Sequence, residues 1–218
     1  GHIREVDAIV HVVRCFEDPD VTHVEGEINP IRDIEVIETE LMLADLESLE
    51  KRMPALEKKL RLKDPQALIQ YTLMERALKL LKEGKPARLV QCSPEEKDEL
   101  QHLQLITTKP IVYVCNVAEN EAVQGNAFTT LVKEWAEKEG ARSALISAAI
   151  EAEVASLDSE EEKTEFLDSL GLHETGLAQV IQEGYGLLKL ITFFTIGPKE
   201  AHAWTIAKDS KAPQAAGE

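Results

Sequence analysis

Two short polar motifs follow apolar segments of this sequence, at places where a ligand could be bound. Asn116-Val117-Ala118-Glu119 comes directly after the apolar run at 109–115, and Ser147-Ala148 ends a further run at 143–148. In open parallel sheets, ligands bind beyond the carboxyl ends of the strands. Phe16 ends an earlier apolar run in the same way. We therefore expect these polar and aromatic residues to form one ligand-binding edge.

The remaining reactive side chains form no catalytic or metal-binding pattern. The histidines are scattered, with no i,i+4 pair and no spacing typical of a zinc site. Four glutamates could imitate paired catalytic carboxylates, but a solvated helix face explains them better; they are Glu38, Glu40, Glu47 and Glu50. No nucleophile, base and orienting acid occur together. We predict no catalytic and no metal-ligating residue in this chain.

A phosphate-binding loop is absent from the sequence. No segment matches G-x-x-x-x-G-K-[ST], since Gly84-Lys85-Pro86 and Gly197-Pro198-Lys199 lack the flanking pattern. Asp168-Ser169-Leu170-Gly171 matches D-x-x-G, but it lies at a predicted helix end and is explained as a helix stop. Without the loop there is no nest of backbone N–H groups, no phosphate-binding Lys and no Mg²⁺-holding Ser or Thr. We expect that these 218 residues alone do not hydrolyse a nucleotide.

Composition indicates a folded, acidic protein. Hydrophobic residues make up 44% of the chain and charged residues 29%, which is enough for a core and argues against disorder. With 24 Lys and Arg against 40 Asp and Glu, the net charge of -16 repels phosphate backbones at long range and leaves nucleic acid only a local basic patch. Three cysteines predict buried, reduced thiols. No run reaches the ~20 apolar residues of a membrane span, so we expect a cytoplasmic protein without a membrane partner.

The first half of the chain predicts a strand followed by a helical hairpin. The segment 6–16 is rich in β-branched residues, as expected of a central strand buried on both faces. From Ile31, apolar residues recur every three or four positions, which predicts an amphipathic helix with a coiled-coil seam. Pro54 should kink this helix or begin a second segment. Asp64 and Pro65 then begin a helix that runs to about Lys82.

The second half returns to alternating strands and helices. A short helix begins after Ser93, and a helix from Asn126 to Lys138 separates the second and third strands, so the sheet is predicted to be parallel. Acidic helices follow, and two strands at 190–196 and 203–206 come after a compositional break. We therefore divide the chain into a first part of a nucleotide-binding domain (1–30), an inserted hairpin (31–84), the rest of that domain (85–188) and the start of a β-rich domain (189–218).

The two polar motifs resemble the base-recognition motifs of P-loop GTPases, whose usual forms are N-K-x-D and S-A. In such a GTPase, the Asp accepts two hydrogen bonds from guanine, which adenine cannot donate. Bonds of this kind are worth about 10⁴-fold or more in comparable buried sites. Glu119 is longer than Asp and Val117 replaces the Lys. Both differences relax the preference for guanine.

A longer resemblance includes these motifs. The run RCFEDPDVTHVEGEINPIRDIEVIETEL, from Arg14 to Leu41, together with NVAE and the hairpin, closely resembles the Obg-like ATPases, the YchF subfamily of translation-factor-related P-loop proteins. LITFFTIGPKEAHAWTI resembles the opening of that family's TGS domain. The resemblance implies a partial α/β P-loop domain with an inserted hairpin and a truncated TGS domain. It also implies ATP preferred over GTP, accompanying Mg²⁺ with ligands outside this chain, and ribosome association. By this resemblance, the adenine pocket is formed by Asn116, Val117, Glu119, Ser147, Ala148 and, at its margin, Phe16.

Two alternatives to an ATP-hydrolysing switch remain open at this point. The chain could be a non-enzymatic module that binds a protein or ribosomal partner through its hairpin and β domain. It could also belong to a GTPase with relaxed base specificity. An upstream G-x-x-x-x-G-K-[ST] segment in the intact protein would separate the first alternative from an NTPase.

Overall fold

A computed structural model describes residues 2–17, 28–62 and 64–215. The chain forms two compact units, one of Gly1–Ile9 with Ile31–Pro110 and one of Val10–Pro30 with Ile111–Glu218. Residues 85–110 thus group with the hairpin, whereas the sequence assigned them to the nucleotide-binding domain. The three predicted domain boundaries remain predictions. Residues 18–27, which belong to the Arg14–Leu41 run of the family resemblance, lie outside the described residues.

Three strands form a parallel sheet in the order β1-β2-β3; they are β1 (Ile9–Arg14), β2 (Ile111–Asn116) and β3 (Arg142–Ile146). The pairing of β2 with β3 is parallel. At the two ends of β1, Ile9 N donates to Pro110 O at 3.0 Å and Cys15 N donates to Asn116 O at 2.8 Å. Both chains advance by the same number of residues between these bonds, so this pair is parallel too. The predicted mixed α/β fold with a parallel sheet is confirmed.

Strand β1 differs from its prediction. Val13 is buried, but Val10 is 52% and Val12 is 63% exposed. Among the described strands, β1 pairs with β2 alone and stands at the edge of the sheet, so side chains alternate between a covered and an open face. The expectation of burial on both faces was wrong for the described part of the chain. The central strand is β2, whose residues 111–115 are all buried.

The hairpin consists of α1 (Pro30–Arg61) and α2 (Pro65–Lys82). Asp64 caps α2, because its Oδ1 accepts hydrogen bonds from Gln66 N at 3.0 Å and Ala67 N at 3.4 Å. Helix α1 continues through Pro54, so the expected second segment does not form. Pro54 is exposed, and water can therefore satisfy the carbonyl that its ring leaves without a donor. The two helices bury a shared apolar core that includes Leu49, Leu56, Leu73, Met74 and Leu81.

Helix α3 (Pro94–His102) packs in the same unit and begins as predicted at Ser93, with Glu96 completing a capping box. A single 3₁₀ turn, Ile106–Thr108, follows it. Asp45 of α1 is fully buried and accepts hydrogen bonds from the N–H groups of Ile106 and Thr107 at 2.9 and 2.8 Å. This carboxylate therefore holds the segment before β2 against the hairpin.

In the second unit, α4 (Ala127–Glu139) lies between β2 and β3, and β3 is followed by α5 (Ala148–Ser156), α6 (Glu160–Ser169) and α7 (Gly176–Leu187). Gly140 ends α4 with φ of 65°, a conformation that glycine adopts without strain. Two antiparallel strands then pair; they are β4 (Leu190–Ile196) and β5 (Ala201–Ala207), followed by the short α8 (Ala212–Ala215). These strands fit the predicted start of a β-rich domain. Within the described ranges, no helix is long and apolar enough to cross a membrane.

Candidate functional site

The two predicted base-recognition motifs are joined by a hydrogen bond. Asn116 ends β2, and its Oδ1 accepts from Ala148 N at 2.9 Å. Val117 N donates to Ile146 O at 2.9 Å, which brings the residue after β2 against the last residue of β3. The parallel register, with Asn116 opposite Ile146, places both motifs at the same edge of the sheet. The two motifs therefore form one contiguous surface at the strand ends, and ligand binding by this surface stays a prediction.

Ser147 and Val117 form the buried part of this edge. Each is only 3% exposed. Ser147 precedes α5, but its side chain makes no capping bond, and its Oγ has no hydrogen-bond partner in the described part of the chain. A buried hydroxyl without a partner costs free energy, so such groups are usually satisfied by protein, water or a ligand.

Glu119 lies on the open side of the edge. It is exposed and begins the 3₁₀ turn Glu119–Glu121. Its carboxylate makes no ion pair or side-chain hydrogen bond with another described residue, and the sequence motif places it three residues after Asn116. An exposed carboxylate on a short turn is free to approach a ligand at the strand ends.

Phe16 lies next to this edge through its neighbour Cys15, whose N–H donates to Asn116 O. The Arg14 guanidinium lies over the Phe16 ring at 4.9 Å, and Arg14 Nε donates to Phe16 O at 3.1 Å. One face of the ring therefore carries a cation–π contact, which fixes the ring at the end of β1.

The sheet beneath the edge contains two buried thiols, Cys15 and Cys115, while Cys92 is half-buried and also free. All three thiols are free, as expected, and the expectation of burial is confirmed for Cys15 and Cys115. A hydrogen bond with the Cys115 thiol, together with burial, raises the pKa of Cys15 well above its usual range. Cys15 is therefore a protonated, unreactive thiol at neutral pH.

Asn126 supports the site and was not identified as a site residue from the sequence. Its Nδ2 donates to Cys15 O at 2.6 Å and to Glu121 Oε2 at 2.8 Å, and its Oδ1 accepts from Thr129 N at 3.0 Å. It therefore ties the end of β1 to the turn that carries Glu119. The sequence predicted that a helix begins at Asn126, but nothing local predicted its contact with Cys15.

Glu151 and Gly176 support the site from the other side. Glu151 Oε1 accepts from Gly176 N at 2.7 Å, so a carboxylate on α5 caps the first turn of α7. A Cβ on Gly176 would lie 2.6 Å from Ile146 Cγ1 and 3.0 Å from Ile146 Cα. Helix α7 can therefore approach the end of β3, beside Ser147, only because residue 176 has no side chain.

The described residues offer no metal site, since no group of three or more His, Cys, Asp or Glu side chains among them could hold an ion. A groove of about 590 Å³ in the same unit is lined by α4, β3 and α7 and contains none of the six predicted base-site residues. The predicted site is thus a surface at the strand ends rather than this groove.

The fold matches a solved structure described as that of the Schizosaccharomyces pombe YchF GTPase. The TM-score is 0.81 at 35% sequence identity, over 99% of this chain and 59% of that one. The parallel sheet, the hairpin inserted between its first two strands and the paired strand-end motifs define a GTPase-like α/β protein.

The sequence comparisons identify the family. The chain is 44% identical over 219 residues to the ribosome-binding ATPase YchF of Bacillus subtilis and 45% identical over 216 residues to that of Escherichia coli O157:H7. A family model named YchF-GTPase_C, described as a protein of unknown function (DUF933), matches residues 190–218. The chain belongs to the YchF family, as its motifs predicted. It aligns over 99 to 100% of its own length and spans about 60% of the length of these relatives.

Proposed function

We propose that this chain forms the base-recognition part of an ATP-hydrolysing switch protein that associates with the ribosome. The observation that carries the proposal is the hydrogen bond from Ala148 N to Asn116 Oδ1, which unites the Asn-x-x-Glu and Ser-Ala motifs. The names of the bacterial relatives, ribosome-binding ATPases, support the activity and the partner.

The geometry favours adenine over guanine at this edge. Because Asn116 Oδ1 occupies the Ala148 N–H, that donor is not free to bind the carbonyl oxygen of guanine. The amide oxygen keeps a second lone pair, which can accept a bond from the amino group of adenine. Glu119 and Val117, where N-K-x-D would have Asp and Lys, weaken the guanine contacts further.

The buried Ser147 hydroxyl supports a ligand at the same place. Ser147 is only 3% exposed, so water is largely excluded from it, and its Oγ lacks a partner among the described residues. After rotation of the side chain toward the open edge, a polar atom of a bound nucleotide would supply the missing hydrogen bond. The Ser147 side chain would then contribute to binding rather than to capping α5.

The phosphates and the Mg²⁺ that accompanies ATP would be held by residues outside these 218, since no phosphate-binding loop and no metal site occurs among those described. Bound ATP would order switch segments, and the hairpin and the C-terminal strands would transmit that state to the ribosome. We place this function in the cytoplasm.

A competition titration tests the proposal. A fluorescent ATP analogue would be displaced by ATP or GTP from the intact natural protein that contains this chain and a G-x-x-x-x-G-K-[ST] segment. The 218-residue chain serves as the control. ATP should compete more strongly than GTP in the intact protein, and the control should bind neither tightly. Stronger competition by GTP would contradict the assignment of Glu119 and Val117, and competition by neither would favour the non-enzymatic interaction module.

A paired substitution tests the base preference more directly. Val117→Lys with Glu119→Asp restores the N-K-x-D pattern, and we expect the affinity ratio of GTP to ATP to rise by roughly tenfold or more. Val123→Lys with Glu137→Asp makes the same chemical changes at exposed positions of the same unit and should leave the ratio unchanged. An unchanged ratio in the first variant would show that these two positions do not select the base.

A further inference from the structure

Strand β3 has one edge that no other described strand covers, because it pairs with β2 alone. In a parallel pair, successive residues point their backbone N–H and C=O groups to opposite sides of the strand. Val117 N donates to Ile146 O, so Ile146 faces β2. Ala144 therefore faces β2 as well, whereas Ser143 and Leu145 face the open side. We propose that this free edge, defined by Ser143 and Leu145, binds an extended basic peptide of a partner protein as an added strand.

The backbone groups on the open side are available for such pairing. The N–H and C=O groups of Ser143 and Leu145 form no hydrogen bond with another residue of the described ranges, and both residues are half-buried. A row of such groups is a template for another chain, and many peptides bind proteins by adding a strand to a sheet. Because β3 is only five residues long, the edge suits a short peptide better than the edge of a second sheet.

The usual protection of an edge strand is weak at β3. Charged side chains, proline and bulges commonly prevent a further strand from pairing. Strand β3 has no proline, and its one charged residue, Arg142, bonds to Glu183 of α7 at 2.9 Å. Gly186 allows this contact, since a Cβ there would lie 2.9 Å from Arg142 Nη1. The guanidinium is therefore held against α7 rather than across the edge.

The edge opens into the groove of about 590 Å³ that α4, β3 and α7 line. Ser143 and Leu145 belong to the lining, so a strand beside β3 would lie within the groove. Neighbouring strands lie about 4.8 Å apart, and their side chains alternate between the two faces of the sheet. The side chains of an added strand would therefore face α4 and α7 in turn. Polar groups on these two walls can bind them; they belong to Thr129, Thr130, Gln179 and Gln182.

Charge selects a basic peptide for this groove. Residues 127–189, which contain α4, β3 and α7, include 13 Asp and Glu against 5 Lys and Arg. Glu174 lines the groove, and its one hydrogen bond within the described part of the chain is to the neutral Gln182 at 2.7 Å. It is therefore available to pair with a Lys or Arg of the added strand. Lys133 lines the wall formed by α4, so the basic side chains should face α7.

A second copy of the chain is the competing occupant, because two β3 edges could pair with each other. Each copy carries a net charge of -16, so repulsion opposes their approach, whereas a basic peptide is attracted. Charge therefore favours the peptide, and the oligomeric state of the protein tests the other occupant.

The test measures binding of a fluorescein-labelled peptide of alternating Lys and Val to the intact natural protein by anisotropy. Ser143→Pro removes one outward N–H and keeps the bonds to β2, since proline is tolerated on edge strands. This variant should bind the peptide at least about fivefold more weakly. Ser143→Ala keeps the N–H and should bind like the wild type. Nucleotide competition should be unchanged in both variants, which controls for folding.

A second pair of variants tests the charge. Glu174→Gln should weaken binding of the Lys-Val peptide by about threefold at low salt, because an ion pair is lost. Glu161→Gln removes the same charge from an exposed position on α6, outside the groove, and should leave the affinity unchanged. A peptide of alternating Glu and Val should bind the wild type about tenfold more weakly or worse.

Methylated peptides test the pairing without any change in the protein. In an added strand, alternate N–H groups point to β3 and the others point away. Of two Lys-Val peptides N-methylated at odd or at even positions, one should lose about tenfold in affinity and the other should keep it. Equal binding of the two, or wild-type binding by Ser143→Pro, would overturn the proposal. So would equal losses in Glu174→Gln and Glu161→Gln, or a dimer in sedimentation equilibrium that Ser143→Pro dissociates.

Discussion

At the scale of single residues, Asp45 shows how one buried charge organises its compact unit. Its Oδ1 accepts a charged hydrogen bond from Arg4 at 2.7 Å, and its Oδ2 accepts one from Thr107 Oγ1 at 2.8 Å. Thr107 Oγ1 in turn accepts from Ala87 N at 3.1 Å. A buried carboxylate is tolerated when each lone pair has a donor, as it has here. Removal of that charge would leave several groups with weakened bonds.

We therefore expect Asp45→Asn to lower the free energy of unfolding by about 2 kcal/mol, because an amide keeps the shape but replaces an acceptor by a donor. Glu47→Gln, on the same helix, should leave the free energy of unfolding almost unchanged, since the pair with Lys51 is exposed. Urea titrations followed by circular dichroism would measure both. Similar effects of the two variants would show that burial of Asp45 contributes nothing.

At the scale of elements, the candidate site depends on how closely α7 approaches β3. Gly176 stands against Ile146, whose carbonyl oxygen accepts from Val117 N and whose neighbour is Ser147. Glu151 fixes the same helix end through Gly176 N. A displacement of α7 would therefore reach the strand ends where the two motifs meet.

Gly176→Ala should destabilise the protein by about 1–3 kcal/mol, because the new methyl group collides with the backbone of Ile146. Gly184→Ala places the same methyl group on the same helix, where nothing lies within 4 Å. That variant should gain up to about 1 kcal/mol from helix propensity. Thermal unfolding measured for both variants should give shifts of opposite sign. A stabilised Gly176→Ala would contradict the close packing of α7 on β3.

At the scale of the whole molecule, net charge has consequences that no single contact shows. The excess of acidic residues gives -16, and mutual repulsion of this charge opposes the compact state. Several ion pairs, such as Lys82 with Glu50 at 3.1 Å, are exposed and contribute little. Screening by salt should therefore relieve more repulsion than attraction.

We expect an increase from 20 to 200 mM KCl to stabilise the protein by about 1 kcal/mol, or roughly 2–4 °C in Tm. The variant Lys97→Gln, Lys133→Gln, Lys138→Gln has three fewer positive charges and should show a larger increase. Differential scanning calorimetry would measure both responses. A fall of Tm with salt would mean that the ion pairs outweigh the repulsion.

Part of the fold followed directly from local patterns. The strand Leu190–Ile196 has its predicted bounds, and α3 begins at the capping box of Ser93 as expected. Caps and apolar periodicity act over a few residues, so one sequence segment contains all the information that they need. The burial of β1 was predicted wrongly. It depends on which other segments cover the strand, and the periodicity of a strand's own residues carries no information about them.

The candidate site divides in the same way. The sequence by itself predicted the motif residues Asn116, Glu119 and Ser147, and the run from Arg14 to Leu41 indicated the family. Only the tertiary structure decided that Asn116 Oδ1 binds Ala148 N, 32 residues away, and that Asn126 binds Cys15 O, 111 residues away. The physical reason is range: side-chain identity and turn chemistry are local, whereas a hydrogen bond between distant residues exists only once strand register and helix packing have brought them together.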